Sequence, residues 1–186
     1  MIVLASKSPR RRKLLRGLGL KFRVSPSSAS EKTSLRRPSA IVRSLALRKA
    51  ESVAARFPEY PVVGADTIVV CKGRILGKPK DRSHAFKMLE LQNGCWQSVY
   101  TGVAVVFRGK KFCGYEVSRC KARKFPPEKL KKLAGKHGDK AGGYAVQDAG
   151  DPFIEKIVGS RDNVVGLPCG LLKKLLRRCG YDIISL

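Results

Sequence analysis

Two runs of this chain, residues 2–5 and residues 62–70, are apolar almost end to end. Such runs suit strands buried in a sheet that helices cover. The second run, Val62-Val63-Gly64-Ala65-Asp66-Thr67-Ile68-Val69-Val70, carries one charge, Asp66. A carboxylate in these surroundings is costly unless it is paired, bound to a metal or placed at an open strand end. Gly64 and Ala65 leave room beside it for a ligand or another backbone. A structural aspartate bonded to nearby backbone would satisfy the same pattern.

Helical patterns alternate with these runs. Ser8 and Pro9 supply an N-cap and an N1 proline for a helix over 10–18, stopped by Gly19. Residues 22–24 suit a strand. Residues 38–56 form a long helix, with Ile41, Val42, Leu45, Ala46 and Ala50 at helical spacing. A further helix is expected over 82–91. Residues 99–107 and 112–125 flank Arg108-Gly109-Lys110-Lys111 as an antiparallel hairpin. Helices over 126–134 and 167–178 follow, the last closed by Gly180. The order predicts an α/β fold with a mixed central β-sheet flanked by helices. No repeat or Ser/Gly linker interrupts the 186 residues, so a single domain over 1–186 is expected.

Lys and Arg number 39 against 14 Asp and Glu, a net charge of +25. Solubility requires far less, and the excess favours polyanions, either nucleic acid or phosphate-bearing small molecules. The cysteines (71, 95, 113, 120, 169 and 179) include no C-x-x-C pair, and only His84 and His137 could join them, which argues against zinc. The stretch before the first arginines is too short for a signal-peptide core, and no apolar run approaches the ~20 residues of a membrane span. Reduced thiols in a cytoplasmic protein are expected.

Several segments carry groups suited to phosphate chemistry. Ser6-Lys7-Ser8-Pro9-Arg10-Arg11-Arg12 lies at a strand-to-helix turn. Consecutive arginines oppose the partial positive charge of a helix N-terminus, and a bound anion would relieve the misfit. Solvated surface charge is the alternative. On the first reading, removing Arg11 slightly stabilises the ligand-free protein. Gly77-Lys78-Pro79-Lys80 presents two lysines in a turn. Lys140-Ala141-Gly142-Gly143-Tyr144-Ala145-Val146-Gln147 ends on an amide whose donor and acceptor suit a nucleobase edge. Glu31 is an isolated acid in a polar loop. The aromatic residues do not interleave with basic ones as a base-stacking platform would.

In their order these segments resemble the Maf family of nucleoside triphosphate pyrophosphatases. The resemblance runs through Leu4-Ala5-Ser6, Ser8-Pro9-Arg10-Arg11, Lys49-Ala50 and Val63-Gly64-Ala65-Asp66-Thr67. It continues in Gly77-Lys78-Pro79, Tyr100-Thr101-Gly102-Val103, Lys140-Ala141-Gly142 with Tyr144 and Gln147, and Val164-Val165-Gly166-Leu167-Pro168. It implies two lobes with a cleft, an architecture similar to the inosine-triphosphate pyrophosphatases, and commonly a homodimer.

The reaction so implied cleaves a nucleoside triphosphate between the α and β phosphates with a divalent cation, Mg²⁺ or Mn²⁺. Asp66 matches the family's proton acceptor or metal-binding carboxylate, and Glu31 the acidic loop residue that shares the metal. Ser6, Arg11, Lys49 and Lys78 match phosphate-binding positions; Arg10, Thr67 and Gln147 match positions tied to base choice. Ser-Pro-Arg-Arg, Gly-Ala-Asp-Thr and Tyr-Ala-Val-Gln resemble the branch acting on dTTP and UTP. The chain departs from the family at Gln97, where many members have His, at Asp148, where Gly is usual, and at Ala29-Ser30-Glu31, which holds one acid of two. Two alternatives stand beside this expectation: a 7-methyl-GTP pyrophosphatase of the same family, or a basic nucleic-acid-binding protein without turnover. Under the main reading nucleic acid binds only nonspecifically, through the +25 charge.

Overall fold

A computed structural model of the chain describes residues 1–134, 136, 141–144 and 153–181. Among the described residues seven strands form a mixed sheet in the order β2-β1-β3-β5-β6-β7, with β4 paired to β3. The strands are β1 (Ile2–Leu4), β2 (Phe22–Val24), β3 (Val62–Cys71), β4 (Arg74–Leu76), β5 (Trp96–Phe107), β6 (Lys110–Ala122) and β7 (Ile154–Val158). The helices are α1 (Pro9–Gly17), α2 (Pro38–Ala54), α3 (Arg82–Gln92), α4 (Pro127–Leu133), α5 (Arg161–Val165) and α6 (Cys169–Arg178). β1 runs parallel to both β2 and β3, whereas β4 on β3 and β7 on β6 are antiparallel.

The chain divides into two compact units. The first comprises Met1–Asp66, Thr101–Glu116 and the chain from Gly166 onward. Its strands are covered on both faces, as their apolar character requires. On one face Val3, Val62, Ala104 and Val106 pack with Ala46, Ala50 and Val53 of α2. On the other, Leu4, Val63, Val103 and Val105 pack with Leu15 of α1 and Leu172, Leu175 and Leu176 of α6. The second unit, Thr67–Tyr100 and Val117–Val165, centres on Val69, Leu76, Met88, Leu89, Val99, Tyr144 and Phe153.

Helix boundaries follow local signals. Ser8 caps α1 by accepting from the Arg11 amide, with Pro9 in the first turn, and Gly19 closes the end at φ +67°. Four features differ from the sequence expectation. The β5–β6 connection is two residues, not four: Arg108 and Gly109 both take positive φ (47° and 74°), the tight turn whose twist matches flanking strands. Lys72 and Gly73 repeat this device (48° and 73°) and create β4, which sequence reading leaves out. β7 and α5 were not expected either. Both are five residues long, and β7 is held by its antiparallel register on β6. Among the described residues no helix is long and apolar enough to cross a membrane.

Candidate functional site

In the first unit, α2 approaches the sheet closely enough that it would collide with any side chain at Gly64. A Cβ there would strike the Ala46 carbonyl oxygen and lie 2.7 Å from the Ala50 nitrogen. Gly102 on β5 meets the backbone of α2 at Val42 in the same way. The space that Gly64 leaves beside Asp66 is therefore taken by another backbone, one of the two readings its sequence allowed. The consequence is chemical. Lys49, between Ala46 and Ala50 on α2, reaches Asp66 two positions along β3.

The Lys49 ammonium donates to Asp66 Oδ1 at 2.6 Å and to Glu31 Oε1 at 2.6 Å. Asp66 is buried, with its side chain 10% exposed, and that of Lys49 is 14% exposed. Glu31 is half exposed, at 53%, in the loop between β2 and α2. That loop is tied to α2 by Arg48, which donates to the carbonyls of Ser30 and Lys32 at 3.0 and 2.9 Å. Two carboxylates thus converge on one cation. A hard divalent ion held by one or two carboxylates, with water and substrate phosphate completing its shell, suits such a pair. Among the described residues no group of three or more His, Cys, Asp and Glu offers a fuller set.

At the start of α1, Arg11 folds back on its own turn. Its Nη1 donates to Ser6 Oγ at 3.1 Å and its Nε to the Gly166 carbonyl at 2.8 Å. The Ser8 amide also donates to Ser6 Oγ, at 3.3 Å. Burial pulls the Arg11 pKa below its ordinary value and Arg10 adds to this, while Asp66 and Glu31 oppose it. Arg11 therefore lies within electrostatic reach of both carboxylates. The guanidinium ties the β1–α1 turn to Gly166, and these two bonds act against the expectation that removing Arg11 stabilises the ligand-free protein.

Ser6, Arg11, Glu31, Lys49 and Asp66 are brought together in this unit, with Arg10 half-buried in the first turn of α1. Thr67 and Lys78 belong to the second unit, Thr67 half-buried on β3 and Lys78 exposed in the turn after β4. Gln147 and Asp148 lie outside the described residues. Gln97 on β5 is 3% exposed, and neither atom of its amide has a hydrogen-bond partner among the described residues. Sequence reading missed the part played by Gly166. It takes a φ of +113°, a conformation glycine adopts freely, and the signal the sequence carried was its place in Val164-Val165-Gly166-Leu167-Pro168.

A buried carboxylate, a second carboxylate on the same ammonium and an arginine-rich helix start define an acid–base site receptive to anions on a mixed α/β sheet. The chain belongs to the Maf family, whose model, described as Maf-like protein, matches residues 1–179. A dTTP/UTP pyrophosphatase of Elusimicrobium minutum (strain Pei191) is 51% identical over 97% of this chain and 99% of its own. One from Thermoanaerobacter sp. (strain X514) is 46% identical over 95% of each chain. One from Thermococcus kodakarensis is 40% identical over the full length of both. Among solved structures, the Ham1 protein of Staphylococcus aureus superposes with a TM-score of 0.53 at 12% identity, covering 95% of this chain and 98% of that one. This likeness is one of fold, and it agrees with the mixed sheet flanked by helices that the sequence predicts.

Proposed function

We propose that this protein hydrolyses dTTP and UTP at the α–β phosphoanhydride bond, releasing pyrophosphate and the nucleoside monophosphate. The observation that carries the reading is the pair of carboxylates, Asp66 and Glu31, converging on Lys49 within electrostatic reach of Arg11. The triphosphate brings about four negative charges, so catalysis is chiefly positioning and neutralisation. Ser6, Arg11, Lys49 and Lys78 bind and orient the phosphates. Asp66 accepts the proton of the attacking water, and Lys49 holds that carboxylate in place. Arg10, Thr67 and Gln147 select the base, Gln147 by pairing its amide with the O4 acceptor and N3–H donor of thymine or uracil.

Glu31 and Asp66 would hold a Mg²⁺ or Mn²⁺ ion. When bound, it supplies charge neutralisation at the phosphates and lowers the pKa of a coordinated water. Residues 1–186 act as one Maf-like domain, working in the cytoplasm as a homodimer, with nucleic acid bound only nonspecifically.

The test is pyrophosphate release from dTTP, UTP, dCTP, ATP, GTP and 7-methyl-GTP with Mg²⁺ or Mn²⁺, alongside Asp66→Asn. A kcat/KM highest for dTTP and UTP, falling about 100-fold or more in a folded Asp66→Asn, is expected. Preference for 7-methyl-GTP overturns the base assignment, and retention of more than half the activity overturns the role of Asp66.

A further inference from the structure

The second unit leaves one face of its sheet open at β6 and β7. Ser118, Cys120 and Ala122 of β6 are buried, so strand alternation puts Val117, Arg119 and Lys121 together on the opposite face. The antiparallel register sets Val158 of β7 opposite Arg119, and Lys156 opposite Lys121. Arg119 stacks its guanidinium over the ring of Trp96 at the start of β5, 4.8 Å from the ring centroid. Trp96, Val117 and Val158 are all exposed. Trp96 and Arg119 stand far apart in the sequence, and only the sheet brings this aromatic ring and these cations together.

Two features set the face apart from ordinary solvated surface. It exposes large apolar groups side by side. It also sets Lys121 and Lys156 directly opposite each other on paired strands, where like charges are destabilising. The Lys121 Nζ donates to the Gly94 carbonyl at 2.7 Å, which anchors the ammonium without neutralising it. Ion pairs among the described residues lie elsewhere, on Lys49, Arg108 and Lys111. Glu155, at the register shift beside the lysine pair, forms none with it among the described residues. A second copy of a chain carrying +25 would bring cations against cations, and lysine is depleted from protein interfaces. A polyanion with flat apolar groups meets both features. A single strand offers unstacked bases to an aromatic ring, whereas a duplex keeps them stacked on one another.

We propose that this face binds single-stranded nucleic acid without regard to sequence. Phosphates lie along Arg119, Lys121 and Lys156, and a base stacks on the ring of Trp96. The surface lies within the second unit and needs nothing from the hydrolytic reaction proposed above.

Trp96 is the single tryptophan of the chain, so its emission reads the site directly. The probes are oligodeoxycytidylate and oligocytidylate of about 12 nucleotides, within the usual site size of such surfaces, and a duplex of the same length. At least one single strand, DNA or RNA, is expected to quench the emission saturably and to bind at least fivefold more tightly than the duplex. Trp96→Ala should weaken binding of a labelled strand at least fivefold and leave its salt dependence unchanged, because no charge is lost. Arg119→Ser with Lys156→Ser should weaken it at least fivefold and flatten the slope of log K against log salt by about 1.4, two phosphate contacts at about 0.7 each. Lys174→Ser with Arg177→Ser, the same loss of charge at exposed positions of α6, should stay within twofold. Absence of quenching by both strands, or a duplex bound as tightly, overturns the proposal. So does Trp96→Ala within twofold of wild type, or an α6 pair that weakens binding as much as Arg119 with Lys156. Conversion of a dimer to a monomer by Trp96→Ala in sedimentation assigns the face to a second copy and overturns it too. Should Trp96→Ala not fold, Trp96→Leu, which keeps apolar bulk without a ring, replaces it with the same outcomes; failure of both to fold assigns the ring to the core and also overturns the proposal.

Discussion

Replacing Lys49 with Met probes the centre of the site. The variant keeps the length of the stem on α2 but removes the ammonium that sits 2.6 Å from both Asp66 and Glu31. Removing one partner from a buried ion pair costs about 3–5 kcal/mol, because the remaining charge is left without its counter-ion. Asp66 meets that condition; Glu31, half exposed, adds little. The charge of Arg11 still acts on Asp66, which places the expected loss near the low end, about 3 kcal/mol. The two carboxylate oxygens can be no farther apart than two 2.6 Å contacts laid end to end. Like charges about 5 Å apart repel by roughly 3 kcal/mol at an effective dielectric of 20. That repulsion is what a divalent cation would reverse. In EDTA, Lys49→Met is expected to melt about 6–12 °C below wild type. Saturating Mn²⁺ at about 100 times its Kd returns roughly 2.7 kcal/mol to the variant. Wild type gains less, since the ion must displace the ammonium. Differential scanning calorimetry with EDTA and with a Mn²⁺ series reads both effects. A Tm within 2 °C of wild type in EDTA, or equal Mn²⁺ stabilisation of the two proteins, would refute the reasoning.

Arg11→Ala should lose about 1.5–3 kcal/mol through its bonds to Ser6 and Gly166, and should raise KM for the triphosphate; urea unfolding and steady-state kinetics check this, and a variant more stable than wild type contradicts it. Gln97→Met replaces a buried amide without a partner among the described residues by an apolar chain of similar length and should stabilise by about 1–2 kcal/mol, seen as a higher urea midpoint. Burial pushes the Cys120 thiol up to about 11, partly offset by its hydrogen bond with Tyr144. The unfolded thiol ionises at its ordinary 9.0 while the folded one stays protonated, so unfolding releases a proton between these values and stability falls as pH rises from 9 towards 11. Cys120 should therefore contribute up to about 2.7 kcal/mol of loss over that window; unfolding measured from pH 8 to 11 should show a shallower fall in Cys120→Ala.

Wherever a few neighbouring residues suffice to decide a conformation, the sequence was informative. The N-cap and proline at Ser8-Pro9, the buried stripe of α2 and the apolar runs of β1 and β3 each follow from local sterics and hydrophobic spacing. Asp66 announced itself as a charge in an apolar strand for the same reason. What those residues do to one another was decided only by tertiary packing. Lys49 matches a phosphate-binding position by resemblance alone, and only the close approach of α2 to β3 and β5 at two glycines brings its ammonium between two carboxylates. Arg11 reads as a misplaced charge until Gly166, 155 residues later, offers its carbonyl. Nothing near Gln92 in the chain foretells its bond to Gly142. Strands β4 and β7, three and five residues long, are held by their partner strands and carry little pattern of their own. Backbone propensity acts over a few residues, whereas charge pairing and buried hydrogen bonds depend on distances that only the folded chain sets.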